Sequence, residues 1–342
     1  MRASTYNFRF SWILSLWLCA CCGASECPLE VTPARVVVKY GDPVLANCTT
    51  TVEHMGMGWE ASQGSTKMVK NVSSVVWRVA NLTHWGIKPM CFANFQTSQC
   101  DKVLNITVYK HPDSVSLKRH SNHTGPIEEG RQYKLVCEIQ NVAPLEYLTV
   151  KWYKGQLEVH NKTYNSDRKT PVNEYPILLI SPSRADDGAQ YRCAAVLDLG
   201  PEGPQPPPVV QSEPLSITVQ YSPDILSQPH ADGLIEGRDL HLNCTAVGNP
   251  VPTFKWNYTS ANNVEVHTSG AVSVLTISTI TKDNAGNYTC IATNSQGQST
   301  MTFPVNVARG AAQALVAVGA VGGVFLCIFL VGLGFCFYSK MK

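Results

Sequence analysis

The sequence predicts an all-β chain built as three tandem two-sheet sandwiches, and three observations predict it. Three cysteine pairs recur along the 342 residues, Cys48 with Cys91, Cys137 with Cys193 and Cys244 with Cys290, and a tryptophan follows the first member of each, at Trp59, Trp152 and Trp256. Around these tryptophans the chain alternates, as where Leu148, Val150 and Trp152 are separated by Thr149 and Lys151, so one face of each strand is buried and the other wet. Two segments also repeat a corner pattern, D-x-A/G-x-Y-x-C or close to it: Asp187, Ala189, Tyr191 and Cys193, then Asn284, Gly286, Tyr288 and Cys290.

A bridge between two facing sheets with an indole packed against it is the arrangement of immunoglobulin-like domains, and the tyrosine two residues before the second cysteine is their corner residue. The cysteines lack any C-x-x-C or close Cys/His grouping, which argues against zinc and for disulfides in an oxidising compartment.

Taken in chain order, residues 1–25 carry Arg2 and Arg9, an apolar run over 10–22 and the small residues Gly23, Ala24 and Ser25, the layout of a cleaved signal peptide. Cys19, Cys21 and Cys22 leave with it. The first sandwich then covers 26–109, the second 110–220 and the third 221–308. Proline marks both junctions, at His111-Pro112 and at Tyr221-Ser222-Pro223, because it restricts itself and the residue before it. The proline-rich run 200–208 falls inside the second sandwich and reads as a stiff loop.

Residues 314–338 are continuously apolar and as a helix would extend about 37 Å, enough for a hydrocarbon core of about 30 Å. Lys340 and Lys342 follow in a four-residue tail, 339–342, so the expected topology is a single-pass plasma-membrane protein with its N-terminus outside. The span carries no acidic or basic residue for pairing with a signalling subunit. Gly319 and Gly323 form a G-x-x-x-G through which two such helices could approach as a weak lateral dimer.

Removing the leader cysteines and the membrane pair Cys327 and Cys336 from the thirteen leaves eight outside, an even number that suits a disulfide framework. The four in the first sandwich, Cys27, Cys48, Cys91 and Cys100, allow three connectivities. Nine N-x-S/T sequons, at Asn47, Asn71, Asn81, Asn105, Asn122, Asn161, Asn243, Asn257 and Asn287, predict a glycosylated surface. With 27 basic and 25 acidic residues and a net charge of +2, there is no field for nucleic acid. No catalytic or nucleotide fingerprint occurs, so the expectation is a binding protein, neither an enzyme nor a cofactor carrier.

The first sandwich departs from the repeat, with Pro89 at the corner-tyrosine position before Met90-Cys91-Phe92-Ala93-Asn94. Together with Tyr40-Gly41-Asp42-Pro43-Val44 and Cys48-Thr49-Thr50-Thr51, this resembles the first domain of the intercellular adhesion molecules. Patchier likeness continues through Leu197-Asp198-Leu199-Gly200-Pro201-Glu202-Gly203, Gly248-Asn249-Pro250-Val251-Pro252 and Ser295-Gln296-Gly297. In that family an acidic residue in a G-I/L-E-T/S-x-L context completes the magnesium coordination of a leukocyte integrin. The matching run is Gly58-Trp59-Glu60-Ala61-Ser62-Gln63, with Ala61 and Gln63 departing from the pattern. The resemblance therefore implies that Glu60 is an integrin-binding residue that ligates the partner's metal, the chain having no metal of its own.

Independently, alternation from an inward Trp59 turns Glu60 outward, and a carboxylate suits a hard divalent cation. An ordinary solvated strand glutamate is the alternative reading. The resemblance also implies a Cys27–Cys100 bridge, while Val52 and Phe95 stand where the family usually has an extra disulfide. Asp198 reads as structural. The expected function is thus a cell-surface counter-receptor for an integrin on another cell. The rival is a homophilic or heterophilic immunoglobulin adhesion receptor that uses a sheet face without a cation.

Overall fold

Three hydrophobic clusters, each crossed by one disulfide, organise the chain. The computed structural model describes residues 27–120, 125–228, 234–259 and 261–308. The predicted signal peptide 1–25, the apolar run 314–338 with Gly319 and Gly323, the tail 339–342 and Asn122 lie outside the described residues. Among the described residues no helix is long and apolar enough to cross a membrane. Their regular structure is β-strand with the short 3-10 turns Leu145–Tyr147, Arg184–Asp186 and Lys282–Asn284.

In the first sandwich Val44–Thr49 lies between Glu30–Thr32 and Ser74–Val79, facing a sheet of Gly56–Glu60, Met90–Asn94 and Gln99–Val103. Arg35–Lys39 runs parallel to Asn105–Tyr109 along one side. Cys48 and Cys91 bridge the two sheets with Cα atoms 6.3 Å apart, and Cys27–Cys100 fastens the segment just before Glu30–Thr32 to the edge strand Gln99–Val103, with Cα atoms 5.8 Å apart. Two indoles fill this core. Trp59 and Trp77 are both fully buried, with ring centroids 6.1 Å apart. Trp77 comes from Ser74–Val79, whose burial alternates strictly so that Val75, Trp77 and Val79 point inward.

The second core repeats the plan with Cys137–Cys193 (Cα–Cα 6.2 Å) against Trp152, and the third with Cys244–Cys290 (6.4 Å) against Trp256. The run 200–208 joins Gln190–Leu197 to Val209–Gln211 as a loop of the second cluster's sheet. In the third, Tyr288 donates its hydroxyl hydrogen to the Asn284 carbonyl at 3.0 Å, and Asn284 caps the turn through the Thr281 backbone N–H at 2.9 Å.

The second corner differs by one residue. Its capping side chain is Asp186, which accepts from Ser183 N at 2.8 Å and pairs with Lys154. The pattern residue Asp187 faces the junction and accepts from Val219 N at 2.8 Å.

The boundary read at 220/221 lies within a continuous strand, Val219–Ile225. Val219 and Gln220 pair in parallel with Ile127–Glu128, and Tyr221–Ile225 pairs antiparallel with Leu240–Asn249. The register shift between Tyr221 and Asp224 falls at Pro223, where the ladder lacks an N–H. Arg184 clamps this junction. It donates to both carboxylate oxygens of Glu129 at 3.0 Å and to Asp224 at 3.3 Å, and its guanidinium lies 5.3 Å from the Tyr221 ring centre. That fork holds the Glu129 carboxyl below the usual carboxylate range.

Candidate functional site

The strand Gly56–Glu60 positions the predicted acidic residue. Trp59 is fully buried while Glu60 is exposed at the strand's end. Across the sheet Glu60 stands opposite Met90, and Met90 opposite Val103. One row further, Gly58 stands opposite Phe92. A side chain at Gly58 would come within 3.0 Å of the Phe92 ring, so glycine lets that ring lie across the strand. Met68 covers Gly56 in the same way, 2.7 Å from where a Cβ would sit.

The carboxylate therefore borders an outer face made of Met68, Met90, Phe92 and Val103, of which Met68 and Val103 are exposed. Among the described residues no hydrogen bond or ion pair engages the Glu60 side-chain carboxylate. It offers an outside partner one free carboxylate beside apolar surface.

The segment after Glu60 is fixed from below. Gln63 donates from Nε2 to the Asn81 carbonyl at 2.7 Å and accepts from Thr83 N at 3.1 Å. Its own carbonyl accepts the Trp77 indole N–H at 3.0 Å. Gly64 adopts φ +75°, where a Cβ would lie 2.6 Å from Val79 Cγ2, so this tight turn requires glycine. The polar side chain at Gln63, where the resemblance has leucine, thus braces one loop against another. From the sequence Gln63 reads only as a departure from the family pattern, and its bracing role does not show; Trp77 is not among the residues named there, although the Val75-x-Trp77-x-Val79 alternation marks it as inward.

The other residues singled out from the sequence scatter. Asn71, Asn81, Asn105, Asn161, Asn243, Asn257 and Asn287 are exposed, while Asn47 is half-buried and its Oδ1 accepts from Ser74 Oγ at 2.6 Å. Asp198 closes a turn by accepting from Gly200 N at 3.2 Å. Val52 and Phe95 line one shallow cavity with Cys27 and Cys100. Among the described residues no three His, Cys, Asp or Glu side chains gather where they could hold a metal ion. A single carboxylate such as Glu60 suffices to add one oxygen ligand to a cation held elsewhere.

Residues 25–114 match the sequence profile of the intercellular adhesion molecule N-terminal domain. The likeness to that family therefore falls on the first sandwich. Residues 222–294 match the immunoglobulin domain profile. Human vascular cell adhesion protein 1 is 24% identical over 281 residues, covering 79% of this chain and 37% of that protein. Rat intercellular adhesion molecule 1 is 26% identical over 183 residues, covering 51% of this chain and 31% of that one. The chain thus spans about a third of the length of these curated relatives. Among solved structures, the D1–D4 ectodomain fragment of ICAM-5 aligns with TM-score 0.48 at 18% identity, covering 82% of this chain and 76% of that fragment.

Proposed function

We propose that this protein is a cell-surface adhesion glycoprotein of three immunoglobulin-like domains, anchored by one helix over 314–338 with its N-terminus outside. Its first domain is the counter-receptor for a leukocyte-type integrin on another cell, and the second and third hold it away from the membrane. The observation that carries this reading is Glu60: an exposed, unengaged carboxylate on a strand end whose core neighbour Trp59 is fully buried. A charged oxygen ligand can fill the open position of the integrin's divalent cation, and the surrounding Met90 and Val103 supply apolar surface that excludes water from the contact. Removal of water strengthens the ion–carboxylate attraction, since Coulomb energy rises as the effective dielectric falls.

The reaction is coordination only, with no covalent step. Glu60 brings the negative charge, the loop 61–64 keeps its strand end in place through Gln63 and Gly64, and the glycans at exposed sequons keep other faces apart. Adhesion of leukocytes to cells displaying the full chain tests this. The reading predicts adhesion in magnesium or manganese and its loss in a chelator. Adhesion that persists in the chelator would favour pairing through the Met90/Phe92/Val103 face without a cation.

A further inference from the structure

A cleft opens where the first sandwich meets the second. Trp85 lines it from one side, and Glu146, Tyr147, Arg168 and Lys169 from the other. Asn105 lines the same cleft, is exposed, and begins the sequon Asn105-Ile106-Thr107. Trp85 is a fixed platform, because its ring stacks on Tyr40 with centroids 4.3 Å apart and planes 13° from parallel. Tyr147 is also held, its hydroxyl accepting from Arg35 across the junction at 3.5 Å. On the far wall Leu145 N donates to the Arg168 carbonyl at 3.3 Å, tying the two wall segments together.

The lining combines two aromatic residues with the acidic Glu146 and Asp167 and the basic Arg168 and Lys169, a composition that suits a pyranose sugar. Its C–H faces rest on the rings, where weak C–H contacts add to apolar burial. Its hydroxyl and N-acetyl groups bond to the charged side chains, which make the stronger hydrogen bonds. A sugar attached to Asn105 starts in the wall of that cleft, so its capture is intramolecular and benefits from a high effective concentration.

We propose that the N-glycan of Asn105 folds back into this cleft, its core N-acetylglucosamine lying against Trp85 and Tyr147, and so ties the first sandwich to the second. The attachment is the ordinary one: Asn105 Nδ2 loses a proton and displaces a lipid diphosphate from C1 of N-acetylglucosamine. The proposal rests on the extracellular reading above but not on Glu60 or on an integrin.

The test uses the full chain made in glycosylating animal cells and purified in detergent. Glycopeptide mass spectrometry reads occupancy, and hydrogen exchange reads the amides of 144–147 and 167–169. Asn105→Gln and Thr107→Ala both delete the sequon by different changes, and both are expected to speed exchange in these segments at least threefold. Trp85→Ala, with the glycan retained, is expected to do the same. Deleting the distant sequon at Asn257 is expected to leave them unchanged. An unmodified Asn105 on a chain whose other sequons carry glycan overturns the proposal alone, as does unchanged exchange in both sequon variants. A chain with no glycan at any sequon overturns the extracellular reading and this proposal together.

Discussion

Trp77 links the first core to the loop behind Glu60, and replacing it tests that link quantitatively. The side chain is fully buried, packs against Trp59 with centroids 6.1 Å apart and donates to the Gln63 carbonyl at 3.0 Å. Trp77→Ala removes the whole indole, a change that typically costs about 3–5 kcal/mol. Trp77→Phe keeps a ring on Trp59 but loses the N–H and part of the volume. The hydrogen bond is worth about 1 kcal/mol net, and the lost carbons one or two methylene equivalents at about 0.8 kcal/mol each, so the total is roughly 2–3 kcal/mol.

For a unit of this size each kcal/mol moves the melting midpoint by about 4–8 °C. The first sandwich of Trp77→Phe should therefore melt roughly 8–24 °C lower, and that of Trp77→Ala lower still or not fold. Calorimetry of the purified protein reads this, analysed as several transitions because a multi-domain chain is not two-state. Transitions from the second and third sandwiches should stay in place. Equal shifts in all transitions, or a Trp77→Phe protein as stable as wild type, would refute the assignment of Trp77 to the core and the brace.

Two further predictions concern the second sandwich. Arg184→Ala removes the donors to Glu129 and Asp224, so small-angle scattering should show a wider spread of angles between the second and third sandwiches, while an unchanged profile would mean that the shared strand alone sets the angle. Five carboxyls there have folded pKa values below their ordinary range: Asp113 through hydrogen bonds from Lys110 and Asn141, Glu129 through the Arg184 fork, Glu138 through Lys118, Glu158 through Asn161 and Lys151, and Asp186, where burial acts to raise the value but hydrogen bonds from Lys154 and Ser183 outweigh it. Depressed carboxyls add stability that is complete above the unfolded values near 4 and is lost as pH falls through the folded ones. The second transition should hold between pH 7 and 5 and drop below about pH 4. Lys154→Met should remove the share of that drop due to Asp186, and a pH-independent midpoint would contradict this.

The residues that carry the fold are those whose spacing is set by the sandwich itself. A disulfide needs Cα atoms within about 7 Å, so cysteines on facing strands and a tryptophan beside them recur at similar separations, and Trp59, Trp152 and Trp256 read directly. The outward phase of Glu60 follows from period-two alternation after Trp59. What the sequence hides is long-range or depends on single-residue offsets. Gln63 braces residues 81–83 across a gap of about twenty positions, and no local pattern announces such a bond. Asp186 and Asp187 are adjacent acids, and one extra residue before Tyr191 hands the capping role to the first of them. Pro223 suggests a break, yet the strand runs through it because a register shift absorbs the missing donor. Asn105 reads as one sequon among nine, and only the packing of two sandwiches brings Trp85 and Tyr147 beside it.

The central claim turns on the charge of one side chain. Glu60→Gln keeps the size and hydrogen-bonding capacity of the residue and removes its negative charge, and because Glu60 is exposed and unengaged the first sandwich should melt as wild type does. Losing a charged partner that is buried on binding typically costs about 2–5 kcal/mol, which is more than tenfold in affinity. The most direct measurement is magnesium-dependent adhesion of leukocytes to cells bearing wild type or Glu60→Gln at equal surface density. The account predicts that the variant loses adhesion while remaining folded and glycosylated like wild type. Equal adhesion by the two proteins would contradict it.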